Sequence, residues 1–225
     1  MFGELIAWLT DPVHWIGPDG LLVQTGLHLY YCVVSVALAS LIAVPLGIGI
    51  GHTGRGAVAV VAASNALRAL PTLGLVTLLA LGWGIGEAPA LAALVVLAVP
   101  AVLSGAYSGV RSAPADVVDA ARGVGMTSWQ QLWRVEVPLA VPLVLGGVRS
   151  AMLQVVATAA VAAYVGLGGL GRTLLDGLKI NDYAQMAAAA IVIAALAVLL
   201  DLLLAGASRV LVPRGLRTTA ATGGR

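Results

Sequence analysis

Five long apolar runs are the feature that most constrains this sequence. They cover residues 26–50, 57–81, 88–107, 145–165 and 187–207. A helix needs about 20 mostly apolar residues to cross the hydrocarbon core of a bilayer. The runs are continuous rather than alternating in hydrophobicity, which favours helices over the strands of a membrane barrel. The sequence therefore predicts an all-α, polytopic membrane bundle with five transmembrane helices.

The composition excludes several other classes of protein. Hydrophobic residues make up 60% of the 225 residues, and charged residues make up 10%. Soluble domains contain about 45–50% apolar and about 25% charged residues. This excludes a soluble enzyme, a disordered chain and a disulfide-rich secreted scaffold. Cys32 is the single cysteine, so no intrachain disulfide can form, and a net charge of +2 is too small to indicate a nucleic-acid partner.

The distribution of basic residues predicts the orientation of the bundle. One side of a five-span arrangement holds Arg55, Arg111, Arg122, Arg134, Arg149, Arg209, Arg214, Arg217 and Arg225. The other side holds only Arg172 and Lys179. Cytoplasmic loops carry the excess of basic residues in membrane proteins. We therefore expect the N-terminus outside the cell and the C-terminus, with a tail over residues 213–225, in the cytoplasm.

The first 20 residues are predicted to form an extracytoplasmic interfacial segment. They lack the basic start of a cleavable signal and carry Glu4 and Asp11. We expect a short helix over residues 2–10 that ends at Pro12, with Trp8 and Trp15 at the level of the lipid headgroups.

Small residues and prolines within the spans predict how the helices pack. Glycines four residues apart allow close approach of helices. These pairs are Gly47 with Gly51, Gly82 with Gly86, and Gly105 with Gly109. Pro45 and Pro71 are expected to kink the first and second spans.

The polar stretch between the third and fourth runs is rich in helix-start and helix-stop signals. A short helix is expected over residues 114–122, capped by Ser112 and stopped by Gly123 and Gly125. Thr127 or Ser128 can cap a second short helix that carries Trp129 and Trp133, and Pro138 and Pro142 should interrupt the return to the membrane. This segment fits either a docking element or an ordinary loop that its tryptophans hold at the interface.

The spacing of residues in this stretch resembles the EAA motif of bacterial ABC importer permeases. Asp119-Ala120-Ala121, then Gly125, then Val135-x-Val137-Pro138 follow that spacing, with Asp in place of Glu and Val in place of Ile and Leu. The resemblance implies a coupling helix, within residues 114–128, that seats in a groove of a separate ATPase subunit. Its implied contact residues are Asp119, Ala120, Ala121, Gly125 and Met126.

Over about residues 20–212 the chain is similar to the glycine betaine/carnitine/choline (osmoprotectant) permeases. Matching features include Pro45-Leu46-Gly47, Leu70-Pro71-Thr72-Leu73, the glycine cluster of residues 166–171, Asn181, and Leu199-Leu200-Asp201. The similarity implies a type I ABC importer subunit with a methionine-permease-like core, a single transmembrane domain over residues 1–225. Methionine-type permeases share the EAA spacing and a similar glycine cluster, so methionine or another small solute is an alternative cargo.

The resemblance also implies a set of partners in the bacterial inner membrane. They are a dimer of ATP-binding subunits, a second permease (a copy or a paralogue), an extracytoplasmic substrate-binding protein, and a small zwitterionic or cationic solute. The chain has no P-loop motif, so ATP and Mg²⁺ are expected in the partner, with no cofactor, metal site or catalytic residue in this chain. A secondary transporter and a non-transporting membrane scaffold are the alternatives from other classes.

Two further groups of residues are candidates for function. Gly166, Gly168, Gly169 and Gly171 match a dinucleotide-binding pattern but follow a membrane span, so an extracytoplasmic gate or a contact with the binding protein is expected instead. His14, His28 and His52 are too scattered to indicate a metal site.

Arg68 is the clearest charge within a predicted span. It lies near the bilayer middle and must face protein or water. It either forms a structural hydrogen bond, to Asn65 or to a carbonyl freed by Pro71, or serves as a polar point on the translocation pathway. Tyr107 and Tyr164 are further pathway candidates, with packing or interfacial anchoring as the alternative. Aromatic residues amount to 5% and do not cluster, so tight recognition of quaternary ammonium groups is expected in a separate binding protein.

Overall fold

The computed structural model describes residues 2–212, with Arg68 described through its backbone alone. The helices are α1 Phe2–Thr10, α2 Leu21–Thr53, α3 Ala57–Ala69, α4 Thr72–Trp83, α5 Glu87–Arg111, α6 Ala115–Gly123, α7 Ser128–Gln131, α8 Val137–Ala162, α9 Leu170–Ile180 and α10 Tyr183–Leu211. Short 3-10 turns at Pro12–His14 and Ala163–Val165 and a π-helical turn at Leu132–Glu136 complete the regular structure of that range. The predicted all-α fold is confirmed, and the cytoplasmic tail predicted for residues 213–225 lies outside the described residues.

Within residues 2–212, four helical stretches are long and apolar enough to cross a membrane. They are Leu21–Thr53, Glu87–Arg111, Ser128–Val165 and Tyr183–Leu211. The predicted second span is two helices, α3 and α4, and it counts as a fifth span only if this broken pair crosses as one. The bend predicted at Pro71 is present, and it divides this stretch into two helices.

The break between α3 and α4 follows from Pro71. A proline lacks the backbone N–H, and its ring disfavours helical geometry in the residue before it. Pro71 has φ −66° and ψ 121°, an extended conformation, and stands as the N-cap of α4. Pro45, by contrast, lies inside α2 without ending it.

The return segment after α6 also differs from its prediction. Pro138 and Pro142 do not interrupt it, because helical structure runs from Ser128 to Val165. The π-helical turn at Leu132–Glu136 directly precedes Pro138, and Val137 N–H bonds to the carbonyl of Leu132. This wider turn accommodates the proline ring, which would crowd a carbonyl in a regular helix. The predicted second short helix is thus the beginning of a long one.

The chain divides into two compact units, each built from three stretches. The first unit contains Met1–Leu38, Ala69–Ala98 and Met152–Asp201. Its apolar cluster centres on Leu21, Leu170 and Leu196, with Trp8 and Trp15 packed against it. The N-terminal helix is therefore present as predicted, and its tryptophans pack against protein. Trp15 Nε1 also donates a hydrogen bond to the carbonyl of Leu9 at 2.7 Å.

The second unit contains Ala39–Arg68, Val99–Ala151 and Leu202–Arg225, and glycines set its helix packing. A Cβ atom on Gly47 would lie 2.6 Å from the Cβ of Ala106, and one on Gly51 would lie 2.8 Å from the Cβ of Val110. A Cβ on Gly105 would lie 2.7 Å from the carbonyl oxygen of Leu143. Since real Cβ atoms do not approach so closely, these backbones can meet only at glycine.

The close-packing prediction is confirmed for two of the three glycine pairs. Gly109 also sits against Ala140, with its added Cβ 2.9 Å away. Gly82 and Gly86 have open space around the position of a Cβ, and for this pair the prediction was wrong.

We expect Gly105→Ala to destabilise the protein and Gly146→Ala, its control on α8, to leave stability equal or slightly higher. Gly105→Ala adds a methyl group against backbone atoms that cannot move apart without disturbing the helix packing. We expect this to lower the free energy of unfolding by about 1–3 kcal/mol. Gly146 is exposed with no atom within 4 Å of an added Cβ, so there alanine gains only its better helix propensity. Thermal unfolding of the two purified variants in detergent measures the difference, and equal midpoints would contradict the packing argument.

Candidate coupling site

The helix of the predicted coupling segment, α6, ends in a Schellman motif. Met126 N–H bonds to the carbonyl of Ala121 at 3.1 Å, and Gly125 N–H bonds to that of Arg122 at 2.9 Å. This pattern requires a left-handed residue just after the helix, and Gly125 has φ +82°. The glycine of the EAA-like pattern is thus needed for its backbone conformation. An added Cβ there would meet no atom within 4 Å.

Three of the five implied contact residues have exposed side-chain positions, and the other two are more buried. Asp119, Ala120 and Gly125 are exposed, Met126 is partly buried, and Ala121 is 6% exposed. Asp119 pairs with Arg122 at 3.4 Å, with side chains that are 70% and 65% exposed. Exposed ion pairs contribute little to stability. The carboxylate of Asp119 is therefore available to a partner at little cost to the fold.

A capping box starts the helix that follows α6. The backbone N–H of Thr127 bonds to Gln130 Oε1 at 2.9 Å, and Gln130 N–H bonds to Thr127 Oγ1 at 3.3 Å. Thr127 is thus confirmed as a cap. Ser112 is not, because its hydroxyl donates to the carbonyl of Gly109 and Pro114 occupies the N-cap of α6. The segment of residues 114–128 therefore comprises helix Ala115–Gly123 and a short linker that ends at Thr127, the N-cap of α7.

Sequence reasoning missed a polar contact beside this segment. His52 Nδ1 lies 2.6 Å from Glu136 Oε2, and His52 Nε2 lies 2.7 Å from Ser128 Oγ. Glu136 is only 6% exposed. An acidic side chain in an apolar segment requires a hydrogen-bonding or charged partner. The position of Glu136 in such a segment was the sequence signal that could have indicated this contact. The partner is 84 residues away, so spacing could not identify it.

The glycine cluster of residues 166–171 is held against α2 and α8 within the first unit. Gly169 N–H donates to Gln24 Oε1 at 2.8 Å. An added Cβ on Gly169 would lie 3.1 Å from His28 Cα, and one on Gly171 would overlap the backbone of Ala160. Both glycines are buried, so they serve packing. Gly166 is exposed and Gly168 is partly exposed, which leaves these two accessible to a partner.

His28 has a hydrogen-bonded, structural role. It is fully buried, and its Nε2 lies 3.0 Å from the carbonyl oxygen of Val156 on α8. His28 and Gln24 are side chains of α2 that contact α8 and the glycine cluster, respectively, through polar atoms. Sequence reasoning did not connect them to the glycine cluster. Both side chains lie on one face of α2, four residues apart.

Helix α9 presents a charged surface next to the glycine cluster. Asp176 accepts hydrogen bonds from Arg172 Nε and from Lys179 Nζ, both at 2.9 Å. Partial desolvation would raise the pKa of Asp176, but the hydrogen bonds from these two cations outweigh it, and its pKa lies below the usual value. The carboxylate thus stays ionised at neutral pH.

The pathway candidates are divided between the two units. Asn65 is exposed on α3 and Tyr107 is partly buried on α5, both in the second unit. Pro71 and Tyr164, which is 58% exposed, belong to the first. The side chain of Arg68 lies outside the described residues. A role in the pathway stays a prediction for all five.

Apolar helices long enough to span a bilayer, with a short exposed segment between two of them, define a polytopic helical membrane protein. Residues 43–216 match the family of binding-protein-dependent transport system inner membrane components. The chain belongs to this family, the permease subunits of ABC importers.

Curated relatives agree with this assignment, and a solved structure has a similar fold. The chain is 33% identical over 197 residues to the glycine betaine/carnitine/choline transport system permease protein OpuCB of Bacillus subtilis, covering 88% of this chain and 91% of the relative. It is 35% identical to the osmoprotectant import permease protein OsmW of Salmonella typhimurium, covering 92% and 100%. The fold is similar to a chain of the inward-facing MetNI methionine ABC transporter, with a TM-score of 0.77, 23% identity, and coverage of 91% and 100%.

We expect Gly125→Ala to weaken the end of α6 and Gly125→Asn to weaken it less. A left-handed conformation costs a residue with a Cβ about 1–2 kcal/mol, and asparagine tolerates it better than alanine. Hydrogen exchange of the Met126 amide, which closes the motif, reports this loss. Gly123→Ala is the control, because Gly123 is helical and has open space. Faster exchange in the control than in Gly125→Ala would contradict the backbone explanation.

Proposed function

We propose that this chain is the permease subunit of an ATP-driven importer of osmoprotectants such as glycine betaine, carnitine or choline. The observation that carries the proposal is the 33–35% identity, along nearly the whole chain, to permeases whose names specify these solutes. Similarity to the methionine transporter is lower, at 23%, and concerns the fold. Methionine is therefore the second candidate solute.

The proposed mechanism assigns energy conversion to a separate ATPase dimer that binds ATP and Mg²⁺. Helix α6 seats in a groove of that ATPase, and Asp119 and Ala120 form part of the contact. ATP-driven closure of the ATPases moves α6 and shifts the permease pair from inward to outward access. The exposure of Asp119 and the rigid cap at Gly125 support this role, because a docking helix needs an accessible face and a fixed end.

The proposed topology places α6 in the cytoplasm and the glycine cluster outside the cell. The excess of arginine around α6 supports this orientation. On the outer side, Gly166 and Gly168 are the accessible glycines for a gate or for the substrate-binding protein. Asn65, Arg68, Pro71, Tyr107 and Tyr164 are proposed to line the pathway, which a second permease, a copy or a paralogue, completes.

Uptake of labelled solutes by cells that express the complete importer tests the substrate. We expect glycine betaine, carnitine or choline to accumulate and methionine to be excluded. Accumulation of methionine alone would replace the first candidate with the second. Uptake that persists without any ATPase subunit would instead favour a secondary transporter.

We expect Asp119→Lys to lower both uptake and co-purification of the ATPase. A loss of 1.4 kcal/mol in docking corresponds to tenfold in affinity, so co-purification should fall by about that factor or more. Asp116→Lys is the control. Asp116 lies in the first turn of the same helix, where a negative charge favours the helix dipole. Asp116→Lys therefore lowers the stability of α6 more than Asp119→Lys does, but it leaves Asp119, the acidic position of the EAA-like pattern, unchanged.

Normal uptake by Asp119→Lys, with the protein inserted in the membrane at the usual level, would refute the coupling role. An equal defect in both variants would mean that helix stability, rather than contact with the ATPase, causes the loss.

A further inference from the structure

We propose that His52 is a positioning residue for coupling, because it fastens the end of α2 to the segment that follows α6. In this arrangement, movement of α6 reaches α2 as well as α8. The inference rests on the proposed function, since it assumes that α6 receives the motion of an ATPase.

The ring of His52 makes two contacts at the two ends of one segment. Its Nδ1 lies 2.6 Å from Glu136 Oε2, and its Nε2 lies 2.7 Å from Ser128 Oγ. An ionised carboxylate only accepts hydrogen bonds, so with Glu136 ionised the Nδ1–H group of His52 donates a hydrogen bond to Glu136 Oε2. Ser128 begins α7 and Glu136 ends the π-helical turn. We call residues 128–136 the return turn, and His52 holds both of its ends.

The contact with Glu136 is well shielded from water. Glu136 is 6% exposed, and the side chain of His52 is 17% exposed. A buried carboxylate is costly unless it is hydrogen bonded and paired. Removal of the imidazole would leave this buried carboxylate without its hydrogen-bond partner. Because the carboxylate would then need to contact water, the return turn would open or shift. His52 therefore fixes the position of the return turn.

The return turn is in turn attached to α6. Gln131 Nε2 donates to the carbonyl of Met126 at 3.0 Å, at the Schellman end of α6. Helix α6 also packs against the π-helical turn. A cavity of about 220 Å³ lies beside these contacts, lined by His52 and Glu136 together with Asp119 and Arg122 of α6. The cavity, which residues of both helices line, thus lies between α6 and the end of α2.

Helix α2 is held independently of this contact. Gly51, one residue before His52, lies so close to α5 that an added Cβ would be 2.8 Å from the Cβ of Val110. Loss of the imidazole therefore leaves α2 packed on α5. What is lost is the attachment of the return turn, which predicts reduced coupling in a folded protein.

The test is the number of solute molecules transported per ATP hydrolysed. The importer is assembled with its ATP-binding subunits and binding protein in proteoliposomes, and labelled glycine betaine is the probe. Coupling between sites of 1–3 kcal/mol corresponds to factors of about 5–150. We expect His52→Ala to lower the ratio at least about fivefold, with ATP hydrolysis largely retained.

Three further variants make the test specific. Ser128→Ala removes one hydroxyl and should give a smaller loss. His52→Gln can keep one of the two contacts and should partly restore the ratio. Thr53→Ala is the matched control, because Thr53 Oγ1 makes only local contacts at the end of α2: it donates to the carbonyl of Gly49 and accepts from the Arg55 N–H. A loss in Thr53→Ala equal to that in His52→Ala would overturn the proposal.

A double-mutant cycle separates the pair from two independent effects. If His52 acts through Glu136, the ratio in the His52→Ala/Glu136→Ala variant should fall no further than in the worse single variant. Independent, multiplying losses would overturn the proposal. If the His52→Ala importer does not assemble, the Ser128→Ala and His52→Gln variants test the proposal instead. An unchanged ratio of solute transported to ATP hydrolysed in both variants would contradict the proposal.

Asp119→Lys in the same assay distinguishes this inference from the proposed function. A loss in Asp119→Lys with none in the His52 variants rejects His52 alone. Normal ratios in both reject α6 as the coupling element. Absence of uptake of glycine betaine, carnitine and choline in the unmodified importer rejects the proposed solutes, and the ratio is then measured with labelled methionine.

Discussion

Hydrogen bonding of the backbone is the constraint on which the rest of this structure depends. Within lipid there is no water to satisfy a free N–H or C=O group, so apolar segments must be helical. The prolines test this constraint. Pro71 ends one helix and starts the next. Pro138 leaves helical structure intact because a π-helical turn precedes it. Pro45 and Pro142 lie inside regular helices, so a proline in this chain does not by itself end a helix.

Glycine serves two distinct purposes in this chain. Gly47, Gly51, Gly105 and Gly109 let helices meet at distances that a side chain would prevent. Gly125 instead supplies a left-handed backbone, with open space around it. The first purpose fixes the helices of the second unit, and the second ends α6 sharply. Substitution affects packing in one case and local backbone energy in the other.

Local signals in the sequence predicted more than distant ones did. The end of α6 and the Thr127 cap follow from neighbouring residues, whose effects act within one or two helical turns, whereas the Ser112 cap predicted for the start of α6 was wrong. The broken second span was expected only as a kink, since its outcome depends on tertiary surroundings. The contacts of His52 with Glu136 and of Gln24 with Gly169 were not predicted. They join residues 84 and 145 positions apart, and no spacing rule relates them.

Under the proposed function, the contrast between the two kinds of contact distinguishes the packed helices of the second unit from the segment proposed to move. Apolar and backbone contacts at glycine resist any change of distance, because close-packed atoms have no free volume to enter. Exposed ion pairs such as Asp119 with Arg122 contribute little and can be exchanged for contacts with a partner. The buried contact of His52 with Glu136 lies between these extremes, since it is strong but involves few atoms. A segment attached through such contacts can shift as a unit while the helices behind it keep their packing.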